Sequence, residues 1–275
     1  MAGAEFFMEK IRKYYNRHRA EEDKRLDYHV FEMPVTRHFI NQYISPGEEI
    51  FDASCGTGHY AEALIHDGYK LGLNDLADEN IRLVKERLGG NPNILFIERS
   101  EALESKGWEK RNWDAVLLMG PLYHMISRKK RLALLKKASG ALRPGGFVFS
   151  AFMTRSAALV YGLKNNPEGI NYPDGAEKLW QTGSDNSFVE GTEAFTNAYF
   201  VHPSEINPLM VEAGLKPLHL AGAEGIFGER FDLYHSLKPE LKQKWLNFIV
   251  RYCEDEEMVA NSKHLVSVAR KINHT

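Results

Sequence analysis

The sequence predicts an α/β fold, a parallel, doubly wound sheet with helices on both faces. Three observations carry this. From Glu49 to Phe152, short apolar runs alternate with segments of helical period. Two of those runs, Ala115-Val116-Leu117-Leu118-Met119 and Phe147 to Phe152, are continuously apolar, as strands buried on both faces are. Finally, a glycine loop, Asp52-Ala53-Ser54-Cys55-Gly56-Thr57-Gly58, joins the first strand to its helix, where an open parallel sheet keeps its ligand crevice.

Each element follows in order. Glu5 to Arg19 reads as a helix, with Phe7, Ile11 and Tyr14/Tyr15 spaced for one face. Phe31 to Tyr43 is a second, with Pro34 in its first turn and Ser45-Pro46-Gly47 as its break. The alternation then runs strand 49–53, helix 59–66, strand 70–74, helix 77–88, strand 94–98 and strand 113–119. Ser127 caps a helix through Ala138, Arg143-Pro144-Gly145-Gly146 ends the linker, and 147–152 is a strand. Residues 155–193, rich in Gly, Asn and Pro, read as an insertion over the sheet edge. A helix at 203–213, a strand at 216–221, a helix at 238–253 and a strand at 264–270 complete the chain. The acidic run Glu254 to Glu257 reads as a solvated helix end. The expected organisation is a helical cap over 1–48, a binding core over 49–153, an insertion cap over 154–201, and the second half of the sheet over 202–275.

Bulk properties narrow the function. With 43% hydrophobic and 26% charged residues, a buried core is expected and long disorder is not. A net charge of -2 gives no global attraction to nucleic acid or to an anionic membrane. Two cysteines far apart in sequence provide neither a disulfide framework nor a structural zinc site. The N-terminus has no signal-like apolar core, and no apolar run approaches the roughly 20 residues that span a bilayer. A cytoplasmic protein is expected.

The chemistry concentrates at the glycine loop. Glycines let backbone approach a ligand, and the helix start offers free N–H groups. The next strand leads to Asp75, where an acid can accept ribose hydroxyls. Gly56-Thr57-Gly58-His59-Tyr60-Ala61 also matches the dinucleotide pattern G-x-G-x-x-A, so a nicotinamide-dependent oxidoreductase is an alternative. Against it, Asp52 ahead of the glycines would repel phosphates.

In these segments the sequence resembles the class I S-adenosylmethionine-dependent methyltransferases. The resemblance rests on residues 52–58, Asp75-Leu76-Ala77, the segment Trp113 to His124, and Leu142-Arg143-Pro144-Gly145-Gly146, all in order. It implies a Rossmann-like, seven-stranded, mostly parallel sheet with a helical N-terminal and insertion cap. It implies S-adenosylmethionine as cofactor, with the backbone at Ser54, Gly56 and Gly58 on the methionine part. Asp75 would take the ribose and Leu76 the adenine face; Ser100, Glu101 and Ala102 would lie at the adenine edge, and Met119 behind the methionine chain. Tyr14 and Tyr15 would lie over the cofactor; they equally fit amphipathic packing. Ser54 and Ser100 depart from the family, which usually has glycine and aspartate there, and this leaves open a cofactor-binding protein with little catalysis.

Methyl transfer from a sulfonium needs positioning and a closed pocket more than a catalytic triad. His124, with Tyr123 beside it, is the candidate to bind or deprotonate an acceptor; a loop-packing role also fits. His29, His59 and His202 are weaker candidates, and Cys55 has no activating base near it in sequence. The expected partner is a small organic molecule held by Phe152, Met153, Arg155, Tyr161, Tyr199 and Phe200. The basic face from Arg128 to Lys137 reads as solvated, and no metal is expected.

Overall fold

The apolar runs assemble into one sheet. In the computed structural model the strands are β1 (Glu49–Asp52), β2 (Lys70–Asp75), β3 (Ile94–Arg99), β4 (Trp113–Leu118), β5 (Leu142–Met153), β6 (Leu215–Gly222) and β7 (His264–Lys271). Their spatial order is β3-β2-β1-β4-β5-β7-β6. The first five are parallel, and β7 runs antiparallel to both β5 and β6. The structure describes residues 9, 11–17, 30–110, 112–171, 175–184, 198–228 and 230–272.

Both faces of the sheet are covered, which is why its central strands read as unbroken apolar runs. Ile50, Leu117 and Phe149 point to one core; Phe51, Val116 and Val148 point to the other. The first core is closed by α2 (Glu32–Tyr43), α3 (His59–His66), α4 (Asp78–Leu88) and α10 (Pro239–Tyr252). The second is closed by α5 (Arg128–Ala141) and α8 (Ile206–Glu212). Residues 9 and 11–17 are helical and form α1. Arg12 pairs with Asp78, and Asn16 accepts the Glu79 amide at 3.1 Å, so α1 sits at the N-terminus of α4.

The structure corrects several expectations. β5 begins at Leu142, ahead of the glycines: Trp113 pairs with Leu142, then Ala115 with Phe147, and the residues between bulge out. Gly145, at φ +76°, makes that bulge. The insertion carries helices α6 (Arg155–Asn165) and α7 (Gly175–Thr182). Thr154 starts α6 by accepting the Ala157 amide at 3.2 Å. Two further short helices appear, α9 (Phe231–Ser236) and α11 (Glu256–Asn261). The acidic run is exposed, as expected, but it also opens α11, with Asp255 capping the Glu257 amide at 2.9 Å. Ser127 precedes α5 without a side-chain cap bond. Phe7, His29 and residues 185–193 of the insertion lie outside the described residues.

An aromatic cluster beneath β1 to β4 sets the floor of one end of the site. Phe51 stacks on Trp113 at 5.5 Å between centroids and meets Trp108 edge-on at 4.8 Å. Trp108 Nε1 donates to Ala102 O at 2.7 Å, and Trp113 Nε1 to Gly107 O at 3.0 Å. The segment after β3 is thereby pinned to the sheet. Gly72 makes room for this cluster: a Cβ there would lie 2.6 Å from Phe96 and 2.7 Å from Trp113. Gly72→Ala is therefore expected to cost about 1–3 kcal/mol by overpacking. Urea unfolding measures this, and wild-type stability in the variant contradicts the packing account.

Candidate functional site

The loop after β1 is held by its neighbours on both sides. Ala53 N donates to Leu117 O at 3.1 Å and Cys55 N to Asn74 O at 2.8 Å. Gly56 and Gly58 take φ of +55° and +96°, where a side chain would be strained. A Cβ on Gly58 would also press on Val84 at 3.2 Å. The loop thus turns tightly into α3 and leaves a crevice above the strand ends.

Asp75 closes the crevice on the β2 side. Its Oδ2 accepts Gly56 N–H at 2.9 Å; its Oδ1 accepts Ala77 N–H at 2.8 Å and Asn80 Nδ2 at 3.0 Å. A carboxylate has roughly four acceptor directions, so Oδ2 retains one for a ligand hydroxyl. The Asn74 side chain, fully buried, ties the strand ends together by donating to Ala53 O and Ser100 O. Ser100 Oγ donates back to Asn74 Oδ1 at 2.8 Å. Ser100 is thus turned into the strand ends and does not line the crevice, whereas Glu101 and Ala102 do. Burial pushes the Glu101 carboxyl up from its ordinary range.

Asp52 lies beneath the loop at 2% exposure, with Oδ1 accepting Ser54 N–H at 3.1 Å. Burial pushes its carboxyl up to about 7, with Asp75 adding to the rise and the Ser54 amide opposing it. Cys55 is buried and free, and burial beside Asp75 and Asp52 raises its thiol well above the ordinary value. A reactive thiolate needs the opposite surroundings.

The crevice widens into a cleft of about 1150 Å³, its open mouth included. Of the residues singled out in sequence, Tyr15, Ser54, Gly56, Asp75, Leu76, Glu101, Ala102, Met119, Tyr123 and His124 line it. Asp52, Gly58, Ser100 and Tyr14 support that lining without being part of it; Tyr14 meets the Tyr15 ring edge-on at 5.4 Å. The Tyr15 hydroxyl lies 2.8 Å from His124 Nε2, joining α1 to the loop after β4. His59 also lines the cleft, whereas His202 is exposed and accepts the Ser204 amide. Two hydroxyls on the lining, Ser54 Oγ and Thr57 Oγ1, are buried without a hydrogen-bond partner.

The expected acceptor wall is elsewhere. Phe152 and Tyr199 line a separate pocket with Arg131, and Phe200 joins a small core under α6 and α7. Arg155 pairs with Glu205 and donates to Trp180 O at 2.8 Å, so its charge is satisfied within the protein. Glu32, Tyr60, Asn80 and His264 face the cleft instead. Tyr60 donates to Glu32 Oε1 at 3.1 Å.

Comparison with known proteins agrees with this geometry. Residues 50–146 match a family model described as a methyltransferase domain. A ubiquinone biosynthesis O-methyltransferase of Coxiella burnetii is 25% identical over 209 residues, covering 75% of this chain and 76% of the relative. Its Xanthomonas campestris pv. campestris counterpart is 29% identical over 128 residues, covering 46% and 52%. Residues 50–146 thus carry a methyltransferase domain, and the chain is an S-adenosylmethionine-dependent methyltransferase similar to those of class I. Its fold matches solved methyltransferases across most of both chains. The N-methyltransferase NodS of Bradyrhizobium japonicum, in complex with S-adenosylhomocysteine, gives a TM-score of 0.59 at 12% identity, covering 95% of this chain and 98% of that one. The Burkholderia thailandensis 1,6-didemethyltoxoflavin-N1-methyltransferase gives 0.58 at 14%, covering 96% and 88%.

S-adenosylmethionine is the cofactor of this methyltransferase, and the site's chemistry fits it. The orphaned hydroxyls of Ser54 and Thr57 offer donors to a carboxylate, and the carboxyl groups suit a cationic donor. The dinucleotide alternative is set aside. The Gly56 N–H that would meet a pyrophosphate is already given to Asp75, and Asp52 lies behind it.

The raised Asp52 carboxyl gives a pH dependence. The folded, ligand-free protein keeps this proton up to about 7, whereas the unfolded chain releases it near the ordinary 3.8. Stability from this group is complete below 3.8 and is lost as pH rises through about 7. Between those limits the wild type should lose stability relative to Asp52→Asn, measured by denaturant unfolding at a series of pH values. Parallel pH curves for the two proteins contradict the assignment.

Proposed function

We propose that this methyltransferase transfers the methyl group to an oxygen or nitrogen of a small organic acceptor by in-line displacement. The observation that carries the reading is a single cleft with two chemically distinct ends. One end has the glycine loop, Asp75, Glu101 and Ala102; the other has Tyr15, Tyr123, His124 and Met119. On this reading Asp75 Oδ2 takes a ribose hydroxyl and Leu76 lies against adenine. Glu101 and Ala102 meet the adenine edge. The backbone at Ser54, Gly56 and Gly58 faces the methionine part, and Met119 backs it. The bound sulfonium supplies an activated methyl group, and the chain's own residues orient the acceptor and exclude water.

Two features support a small acceptor. The cleft is walled by side chains of α1, α2 and the loop after β4, which suits a small molecule. The names of the relatives speak of O-methylation and of N-methylation of small molecules. A cytoplasmic setting is part of the proposal; it accords with two free cysteines, and no helix among the described residues is long and apolar enough to cross a membrane.

His124 and Tyr123 contact the acceptor in this scheme. Calorimetry with S-adenosylmethionine and with its demethylated product should show binding, and a folded protein with affinity for neither overturns the reading. His124→Ala should lower turnover about 10²-fold by misplacing the acceptor while cofactor affinity stays near wild type. A fully active variant removes His124 from the scheme.

A further inference from the structure

We propose that His264, oriented by Glu224, is the general base of this site, and that the acceptor it serves is a phenolic or enolic hydroxyl. The proposal rests on the reading of the cleft as a methyl-transfer site for a small acceptor.

His264 opens β7 and pairs with Met153 near the end of β5. Because β7 is antiparallel, its first residue reaches the edge where the parallel strands end. The imidazole lines the cleft there. Its Nδ1 lies 2.5 Å from Glu224 Oε1, and Glu224 Oε2 accepts the His264 backbone N–H at 3.0 Å. Glu224, in the turn after β6, is 1% exposed. One buried carboxylate therefore holds both the ring and the backbone of a single residue. That arrangement fixes the ring, directs Nδ1 to the carboxylate and turns Nε2 away from it.

A buried carboxylate is costly unless it is compensated. The neighbouring Lys263 supplies positive charge toward Glu224. An imidazolium formed at His264 would add a second compensation, so the carboxylate favours proton uptake by the ring. At His124, by comparison, Nε2 meets the Tyr15 hydroxyl at 2.8 Å.

The substrate class follows from what needs a base. A neutral amine attacks through its lone pair and can lose its proton afterwards. A phenol, with pKa about 10, is a poor nucleophile until deprotonated. At neutral pH such a hydroxyl arrives protonated and gives up its proton in the site. In the proposed step the acceptor O–H bond breaks toward His264 Nε2. The oxygen forms the new C–O bond as the methyl C–S bond breaks, and the sulfur keeps that electron pair as a neutral thioether. The positive charge lost from sulfur is balanced by the imidazolium beside Glu224.

The test uses the full chain and a series of substituted phenols, from a nitrophenol largely ionised at neutral pH to phenol itself. Calorimetry first establishes S-adenosylmethionine binding in wild type, His264→Ala and Glu224→Gln. Single-turnover methylation is then followed for each phenol. His264→Ala should slow methylation of phenol about 10²-fold or more, yet leave the ionised nitrophenol nearly unaffected. Added imidazole should restore part of the lost rate, which a purely structural defect would not allow. Glu224→Gln should show the same acidity gradient, with a smaller loss. An equal loss across all acidities overturns the proposal, as does a wild type that methylates amines but no hydroxyl. A wild type that binds no S-adenosylmethionine overturns the underlying reading, and is detected before any acceptor is added.

Discussion

The site depends on three hydrogen bonds that the Asp75 carboxylate accepts. Its carboxylate joins Gly56 in the loop after β1, Ala77 at the start of α4 and Asn80 one turn further on. The starts of two successive crossovers, after β1 and after β2, are thereby locked to each other. Each donor is fixed by an independent cause: the positive φ of Gly56, the helix start at Ala77, and the burial of Asn80. Charge-assisted bonds of this kind are the stronger ones. A loop set in this way needs little reordering when a nucleoside arrives, which is what preorganisation means here.

The layers around that contact give the two ends of the cleft different chemistry. At the β3 side, the Phe51, Trp108 and Trp113 cluster pins the chain so that Glu101 and Ala102 face inward. At the β5 and β7 side, an antiparallel strand delivers a histidine to the same edge, backed by a buried acid. Between them, α1 closes over the cleft through Tyr15 and His124. The mixed sheet therefore has a functional consequence: in this fold, the reversed strand places its first residue where parallel strands place their last.

Most of the sheet was legible in the sequence because burial on both faces leaves unbroken apolar runs. Those runs locate β4 and the core of β5 within a residue or two, and the glycine loop locates the crevice. What stayed illegible has physical reasons. Helices as short as α9 and α11 span fewer than two turns, too few for a period to appear. The β5 bulge depends on Trp113 pairing with Leu142, a contact between distant segments. Ser100 belongs to the strand ends through Asn74, another long-range bond. Asn80 left a faint signal as a polar residue in the first turns of a helix that follows an acid. His264 and Glu224 left none as a pair, since only the antiparallel return of β7 brings them together.

The central claim is that the Asp75 carboxylate both shapes the loop and receives the cofactor. It is tested most directly by titrating S-adenosylmethionine into wild type and Asp75→Asn, with circular dichroism as a check on folding. An amide presents one acceptor oxygen where the carboxylate presents two, so either the Gly56 N–H or the ligand hydroxyl loses its partner. The account predicts a folded variant whose affinity falls about 10- to 100-fold, corresponding to about 1.5–3 kcal/mol for a hydrogen bond to a charged group. A folded Asp75→Asn protein that binds as tightly as wild type would contradict it.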